Sequence, residues 1–433
     1  MLKKTLSFLA ISLGVIFFVE LGAYGFFYVK YDQIIPRKDI QSTLFLEKET
    51  EEFHLKNDVY INDMDVNEHV LHPYLGFVRN FRKKRHIFDE RIIQAPVNVF
   101  GFFGPSLIKK RKDNQIRVVI TGGSVAAQLY LYSQDRLVKT LQEIEVFKNK
   151  EIKVYSLALG GMKQPQQLIA LNWFLALGGD FDIFVNVDGF NELALPQIDN
   201  IPVGVFPFYP RKWNLYAAKS MNEKTIKLLS KGANLKEKKE KWRRLFSKNP
   251  FKQSNFFLTV WYALKNKITN ELVSLHNQIQ SEMKSRAKSS QENGPTYSMD
   301  SLEKTLQESV SFWKNSSLQM RDVLESKNAR YFHFLQPNQY FKGSKPLSVW
   351  EKQYAVSQKS KAAESIQLGY PMLINAGQEL KEAGIQFIDL TGLFKNETDT
   401  LYKDFCCHYN QIGNDILARE IGVNIKKSFS ARN

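Results

Sequence analysis

The sequence predicts an α/β protein with a mostly parallel sheet covered by helices on both faces. Three observations carry this. Short runs rich in β-branched and aromatic residues recur along the chain, amphipathic stretches of helical period lie between them, and glycine or asparagine follows several of the apolar runs. At 433 residues the chain is long enough for one large domain with insertions or for two unequal ones.

The predicted strands are "IRVVIT" (116–121), "IKVYSLA" (152–158), "DIFVNVD" (182–188), "RYFHFLQ" (330–336) and "IQFIDL" (385–390). Nearly continuous apolar character marks strands buried on both faces. Helices are expected over "VAAQLYLYSQDRLVKTLQEIEVF", "QPQQLIALNWFLAL" and "SLEKTLQESVSFWKNSSLQMRDVLE". The last begins with Asp300 followed by Glu303, a pattern like a capping box. Near the end, "NQIGNDILAREIGVNI" also has helical character.

Upstream of this core, Thr5 to Val29 is a 25-residue apolar stretch carrying one charge, Glu20. That length suffices for a membrane-spanning helix. A cleaved signal peptide is the competing reading, but the stretch lacks a convincing small-x-small cleavage site, and an uncleaved anchor is favoured. Lys3 and Lys4 place the short tail on the cytoplasmic side and the remainder outside the cytoplasm. Glu20 is either a polar contact to another helix or a tolerated charge. The expected organisation is a membrane anchor over 1–30, an acidic stalk over 31–70, α/β core over 71–200 and 296–428, and a basic helical insertion over 201–295. Glu47 to Glu68 contains eight acidic residues against two lysines, which gives the stalk its sign.

In the insertion, Arg211 to Lys248 holds 13 Lys/Arg and 3 Glu, and the whole chain carries a net charge of +16. Such a run is either a solvated face or a surface for anionic lipid or glycan. It lacks interleaved aromatic residues and recognition motifs, so nucleic acid is not expected as a partner. Further on, Leu258, Trp261, Leu264, Ile268, Leu272, Leu275, Ile279 and Met283 fall at steps of three and four, the apolar face of one long helix.

Ser124 stands at the carboxyl end of the first core strand, inside "ITGGSVA", where open α/β sheets bind ligands. Gly122 and Gly123 allow a tight turn there. Gly160 and Gly161 follow the second strand, and Gly189 and Asn191 follow the third. Glycine-loop amides and an asparagine side chain are suitable oxyanion donors. "KDFCCHYNQIGND" contains the chain's two cysteines, Cys406 and Cys407, between Asp404 and His408. A metal site, a redox pair and half of a catalytic apparatus are the three readings of this stretch. Adjacent cysteines without a second ligand pair are a poor zinc pattern, whereas a histidine oriented by a carboxylate is the base that a serine nucleophile lacks. His72 and His333 are read as structural, and no cofactor or metal is expected.

The ordered blocks "ITGGSVA", "LALGGMKQPQQ", "VDGFNE" and "KDFCCHYNQIGNDILA" resemble the SGNH, or GDSL-type, hydrolases, particularly membrane-anchored bacterial members, over about Ile116 to Ala418 apart from the insertion. "HPYLGFVRN" and "NVFGFFGP" resemble the lead-in of those members. The resemblance implies a flavodoxin-like three-layer sandwich and a serine esterase acting on acyl, chiefly O-acetyl, esters of a surface polysaccharide. It implies Ser124 as nucleophile, His408 as base, Asp404 as its orienter, and Gly161, Asn191 and the Ser124 amide as oxyanion donors. An O-acyltransferase on a surface glycan, and a non-catalytic glycan-binding or assembly protein, are the alternatives. Two departures stand out: Gly-Gly-Ser replaces Gly-Asp-Ser, and His408 stands four positions after Asp404 rather than three.

Overall fold

The computed structural model describes residues 68–430 apart from 83–85, 89–90, 94–95, 109, 222, 286–292, 299–300 and 358–359, together with residues 18, 20–23 and 25. Most of the apolar stretch Thr5 to Val29, the acidic stretch before Glu68, and Asp300 lie outside the described residues. Among the described residues no helix is long and apolar enough to cross a membrane. The chain divides into two compact units, one of Asn57–Met221 with Met283–Asn433 and one of Met1–Lys56 with Asn222–Glu282.

The first unit opens with two antiparallel hairpins, β1 (His69–His72) with β2 (Gly76–Arg79) and β3 (His86–Phe88) with β4 (Arg91–Ile93). Glu68, within the expected acidic stalk over 31–70, is buried and lies 3.8 Å from the buried Arg79. Burial of one charge is tolerated here because its partner is buried with it.

Five parallel strands form the sheet: β5 (Gln115–Gly122), β6 (Glu151–Ala158), β7 (Ile183–Asp188), β8 (Arg330–Leu335) and β9 (Gln386–Asp389), in the spatial order β6-β5-β7-β8-β9. Every residue of β5 and β7 is buried, as their nearly continuous apolar character predicts for central strands. This is the doubly wound order 2-1-3-4-5, whose direction of winding reverses between the first and third strands. Register brings the carboxyl ends together, with Gly122 opposite both Ala158 and Val187, and Asp188 opposite Leu335. The residues that follow these strands therefore share one edge.

Connecting helices are α1 (Ser124–Leu141), α2 (Gln166–Ala176) and α3 (Phe190–Leu195). Residues 201–221, including α4 (Trp213–Met221), belong to this unit: Tyr216 of α4 stacks on Phe77 of β2, with ring centroids 4.9 Å apart. The separate helical unit thus begins at Asn222 rather than at 201. It holds α5 (Glu223–Phe246) and α6 (Asn255–Ser285), and in α6 Leu258, Trp261, Ile268, Leu275 and Ile279 are buried, as the spacing predicts.

After the insertion come α7 (Leu302–Glu325), α8 (Val349–Tyr354), α9 (Lys361–Glu382) and α10 (Gln411–Ser430). The cap of α7 is Ser301, whose hydroxyl accepts the Lys304 amide at 3.1 Å, one residue beyond the expected Asp300. Helix α10 lies against α1: the Ser133 hydroxyl donates to Asp415 at 2.7 Å, and a Cβ on Gly422 would sit 2.7 Å from the Cβ of Thr140. That close crossing fixes the segment just before α10 relative to Ser124.

Candidate active site

Strand β5 runs into α1 through Gly122 and Gly123, and each glycine has its own steric reason. Gly122 has φ of +138°, and a Cβ there would lie 2.0 Å from the Val187 carbonyl oxygen. Gly123 has an ordinary φ of −83°, but its Cβ would lie 2.1 Å from Asn191 Nδ2. The second glycine in Gly-Gly-Ser is thus the space that the asparagine amide occupies. Ser124 is the first residue of α1 and only 7% exposed. Its position at a helix N-terminus places free N–H groups and the positive end of the helix dipole beside the hydroxyl.

His408 Nε2 lies 2.7 Å from Ser124 Oγ, and on the other side of the ring His408 Nδ1 donates to Asp404 Oδ2. With the Nδ1 proton held in the hydrogen bond to the carboxylate, Nε2 is left as the acceptor for the serine hydroxyl. The four-residue spacing is absorbed by a turn folded around Asp404, whose Oδ1 accepts the amides of Cys406, Cys407 and His408 at 2.9, 3.2 and 3.3 Å. Burial works to raise the Asp404 carboxyl, but the charge and hydrogen bond of His408, with Lys403 and the Cys406 amide, outweigh it and hold the group at about 2.

The segment after β8 clamps this turn. Asn338 Nδ2 donates to the Cys406 carbonyl at 3.2 Å, Gln339 Nε2 to that of Asp404 at 2.9 Å, and the Tyr340 hydroxyl to that of Phe405 at 2.6 Å. The turn that carries His408 is therefore held by side-chain bonds from a neighbouring strand end, not by its own loop alone.

The expected oxyanion donors lie around Gly123. Asn191 Nδ2 gives one hydrogen to the Met162 carbonyl at 2.7 Å, which fixes the amide plane and leaves its second hydrogen for an anion. Met162 is the neighbour of Gly161, which has φ of +74° and would bring a Cβ to 2.0 Å from Arg211 Cδ. Arg211 is itself held by Asp199, through Nε at 2.8 Å.

Two groups that sequence reasoning passed over organise these loops. Glu192 accepts the Gln164 amide and Gln167 Nε2 through Oε1, and the Gly189 amide at 2.9 Å through Oε2, so it ties the second-strand loop to the third. Burial, then the charge of Asp188, raises its carboxyl above the ordinary range. Glu192 was visible inside "VDGFNE", three residues after the glycine whose amide it accepts. Arg211 had no such signal, being one of many basic residues in a charged run.

His72 and His333 have structural partners. His72 Nδ1 accepts the amides of Tyr74 and Leu75, and its ring meets Trp173 edge-on at 4.4 Å. His333 is fully buried between Ser317, 2.8 Å from Nδ1, and Asp188, 2.9 Å from Nε2. Asp188 also accepts Trp313 Nε1 and Asn186 Nδ2, each at 2.8 Å.

Cys406 and Cys407 are free thiols with sulfurs 2.8 Å apart, and with a His408 nitrogen they lie within 4.8 Å of one another. A metal there would compete for a ring already engaged by Ser124 and Asp404. No protein-family model and no curated protein matches the chain.

Proposed function

We propose that the protein is a serine esterase of the SGNH type, with a flavodoxin-like sheet, that acts on short acyl esters of a surface glycan outside the cytoplasm. The observation that carries this reading is the continuous chain Asp404–His408–Ser124, assembled at the reversal point of the sheet beside a fixed asparagine amide. Ser124 Oγ attacks the ester carbonyl while its proton passes to His408 Nε2. Negative charge develops on the carbonyl oxygen, where Asn191 Nδ2, Gly161 and the Ser124 amide supply donors. His408 returns the proton to the departing alkoxide, which leaves as the free alcohol. Water then repeats the sequence on the acyl-serine, giving the carboxylic acid and restoring Ser124. Burial of Ser124 and His408, 7% and 6% exposed, favours an acyl group as small as acetyl.

If a sugar hydroxyl replaces water in the second half, the same residues transfer the acyl group to the sugar. Incubation with 4-nitrophenyl acetate, with and without an oligosaccharide acceptor, separates the two outcomes. An organophosphonate should add one label, at Ser124, and His408→Ala should abolish it. Absence of both labelling and ester turnover in the wild-type protein overturns the reading.

A further inference from the structure

Gly161 sits in a tight turn whose conformation is set from outside it. The Met162 amide donates to the Leu159 carbonyl at 3.1 Å and closes a four-residue turn. Of the two central residues Gly161 has a positive φ, +74°, and Gly160 does not, which is the pattern of a type II turn. The closing bond does not use the Gly161 amide, the group assigned above to the oxyanion. Two adjacent glycines give such a turn little preference of its own, because each reaches both signs of φ without steric cost. Rotation of the peptide between them would turn the Gly161 N–H to the opposite side. The choice of orientation has to come from packing.

Arg211 supplies that packing. A Cβ on Gly161 would fall 2.0 Å from Arg211 Cδ, 2.8 Å from Nη1 and 3.0 Å from Nε, so the arginine side chain lies directly against the Gly161 backbone. Arg211 opens the basic run that the sequence offers to lipid or glycan, yet it is only 3% exposed, and Nε is fixed 2.8 Å from the equally buried Asp199. The segment between Asp199 and Arg211 is braced as well. Asn200 Nδ2 donates to the Phe206 and Tyr209 carbonyls at 2.9 and 3.0 Å. Lys163 Nζ, from the second-strand loop, donates to the Pro207 carbonyl at 2.8 Å and to that of Tyr209. This segment therefore grips the loop at two points, Gly161 and Lys163.

Two features argue that the grip serves more than stability. Lys212, with Nζ 3.9 Å from Asp199, has φ of +53°, a strained conformation that persists only where the surroundings over-determine it. A buried ion pair, for its part, costs in lost hydration about what its attraction returns. What the Asp199 carboxylate can supply is a fixed direction for the arginine.

We propose that Arg211 is a positioning residue for the oxyanion hole: anchored on Asp199, it holds the Gly160–Gly161 peptide in the orientation that presents the Gly161 amide to the developing charge. The proposal rests on the esterase reading.

The test measures kcat and KM of the full chain with 4-nitrophenyl acetate. Arg211→Ala combined with Asp199→Ala removes both charges together, so that no unpaired carboxylate is left buried, and a melting curve verifies folding. The kcat should fall by roughly 10- to 100-fold with KM within about twofold, the pattern of an interaction made only in the transition state. Arg211→Lys, which keeps Cδ and a cation for Asp199, should recover most of that loss. Should the alanine pair not fold, Arg211→Met with Asp199→Leu fills the site without the ion pair and should show the same fall. Gly161→Ala should cost far less in the doubly substituted background than in the wild type, because both changes disturb one turn. Unchanged kcat in the folded double variant, a loss carried by KM, or additive effects with Gly161→Ala overturn the proposal and leave the esterase reading standing. A wild-type protein that is neither labelled at Ser124 nor active on the ester overturns that reading, and the proposal with it.

Discussion

Asn191 and Gly123 compete for one space: the amide nitrogen of the first stands 2.1 Å from where a Cβ of the second would be. Gly123→Ala should therefore displace the Asn191 amide without straining the backbone, whose φ at this position is ordinary. We expect ester turnover to fall by roughly 10² to 10³, as for loss of one oxyanion donor, with the melting temperature little changed. Gly122→Ala is the contrasting variant. Its φ of +138° and the Val187 carbonyl should cost stability on the order of 1–3 kcal/mol. Urea unfolding of both variants beside their turnover separates the two roles, and equal melting losses would refute the assignment.

Asp404→Asn keeps the shape of the turn but presents an N–H group to His408 Nδ1. The imidazole must then carry its proton on Nε2, where it cannot accept from Ser124. A loss of about 10³ to 10⁴ in turnover is expected. A loss below tenfold would mean that another group orients the ring.

The pH profile follows from the depressed Asp404 carboxyl. Held at about 2, it stays ionised across the whole pH range in which the proposed esterase would work. The acid limb of log turnover against pH should have a slope of one, from protonation of His408 alone, and a slope of two would contradict this. The same depression stabilises the fold fully above the unfolded carboxylate value of about 3.9, and that contribution is lost as pH falls through about 2.

His333→Ala removes one of three side-chain donors to the buried Asp188. A destabilisation of about 1–3 kcal/mol is expected, because a buried polar group loses its partner. Turnover per folded molecule should fall far less than in His408→Ala. A comparable fall would make His333 part of the chemistry.

Much of this site was legible in the sequence because its residues follow strands whose apolar character is nearly continuous. A fully buried strand leaves little else to do with Val118, Val119 and Ile120 or with Phe184 and Val185. Helix α9 was harder to see, since it carries Pro371, Gly369 and Gly377, all poor helix formers. In the fold those glycines are contact points: a Cβ on Gly369 would meet Leu193 at 2.7 Å, and one on Gly377 would meet Phe387 at 2.1 Å. The Asp404 spacing looked like a defect because the turn that absorbs it depends on Asn338, Gln339 and Tyr340, some 65 residues earlier. The partner of Glu20, 234 residues away at Ser254, left no local trace at either end.

The crossing of α1 and α10 also sets a timetable. On the esterase reading, nucleophile and base are 284 residues apart, and Ser124 with its glycines leaves the ribosome long before the histidine proposed to activate it. On that reading, until Gly422 settles against Thr140 the nascent polypeptide carries a serine no more reactive than any other, and a chain interrupted before residue 411 should stay inert. Reactivity is thereby withheld until the last helix has docked.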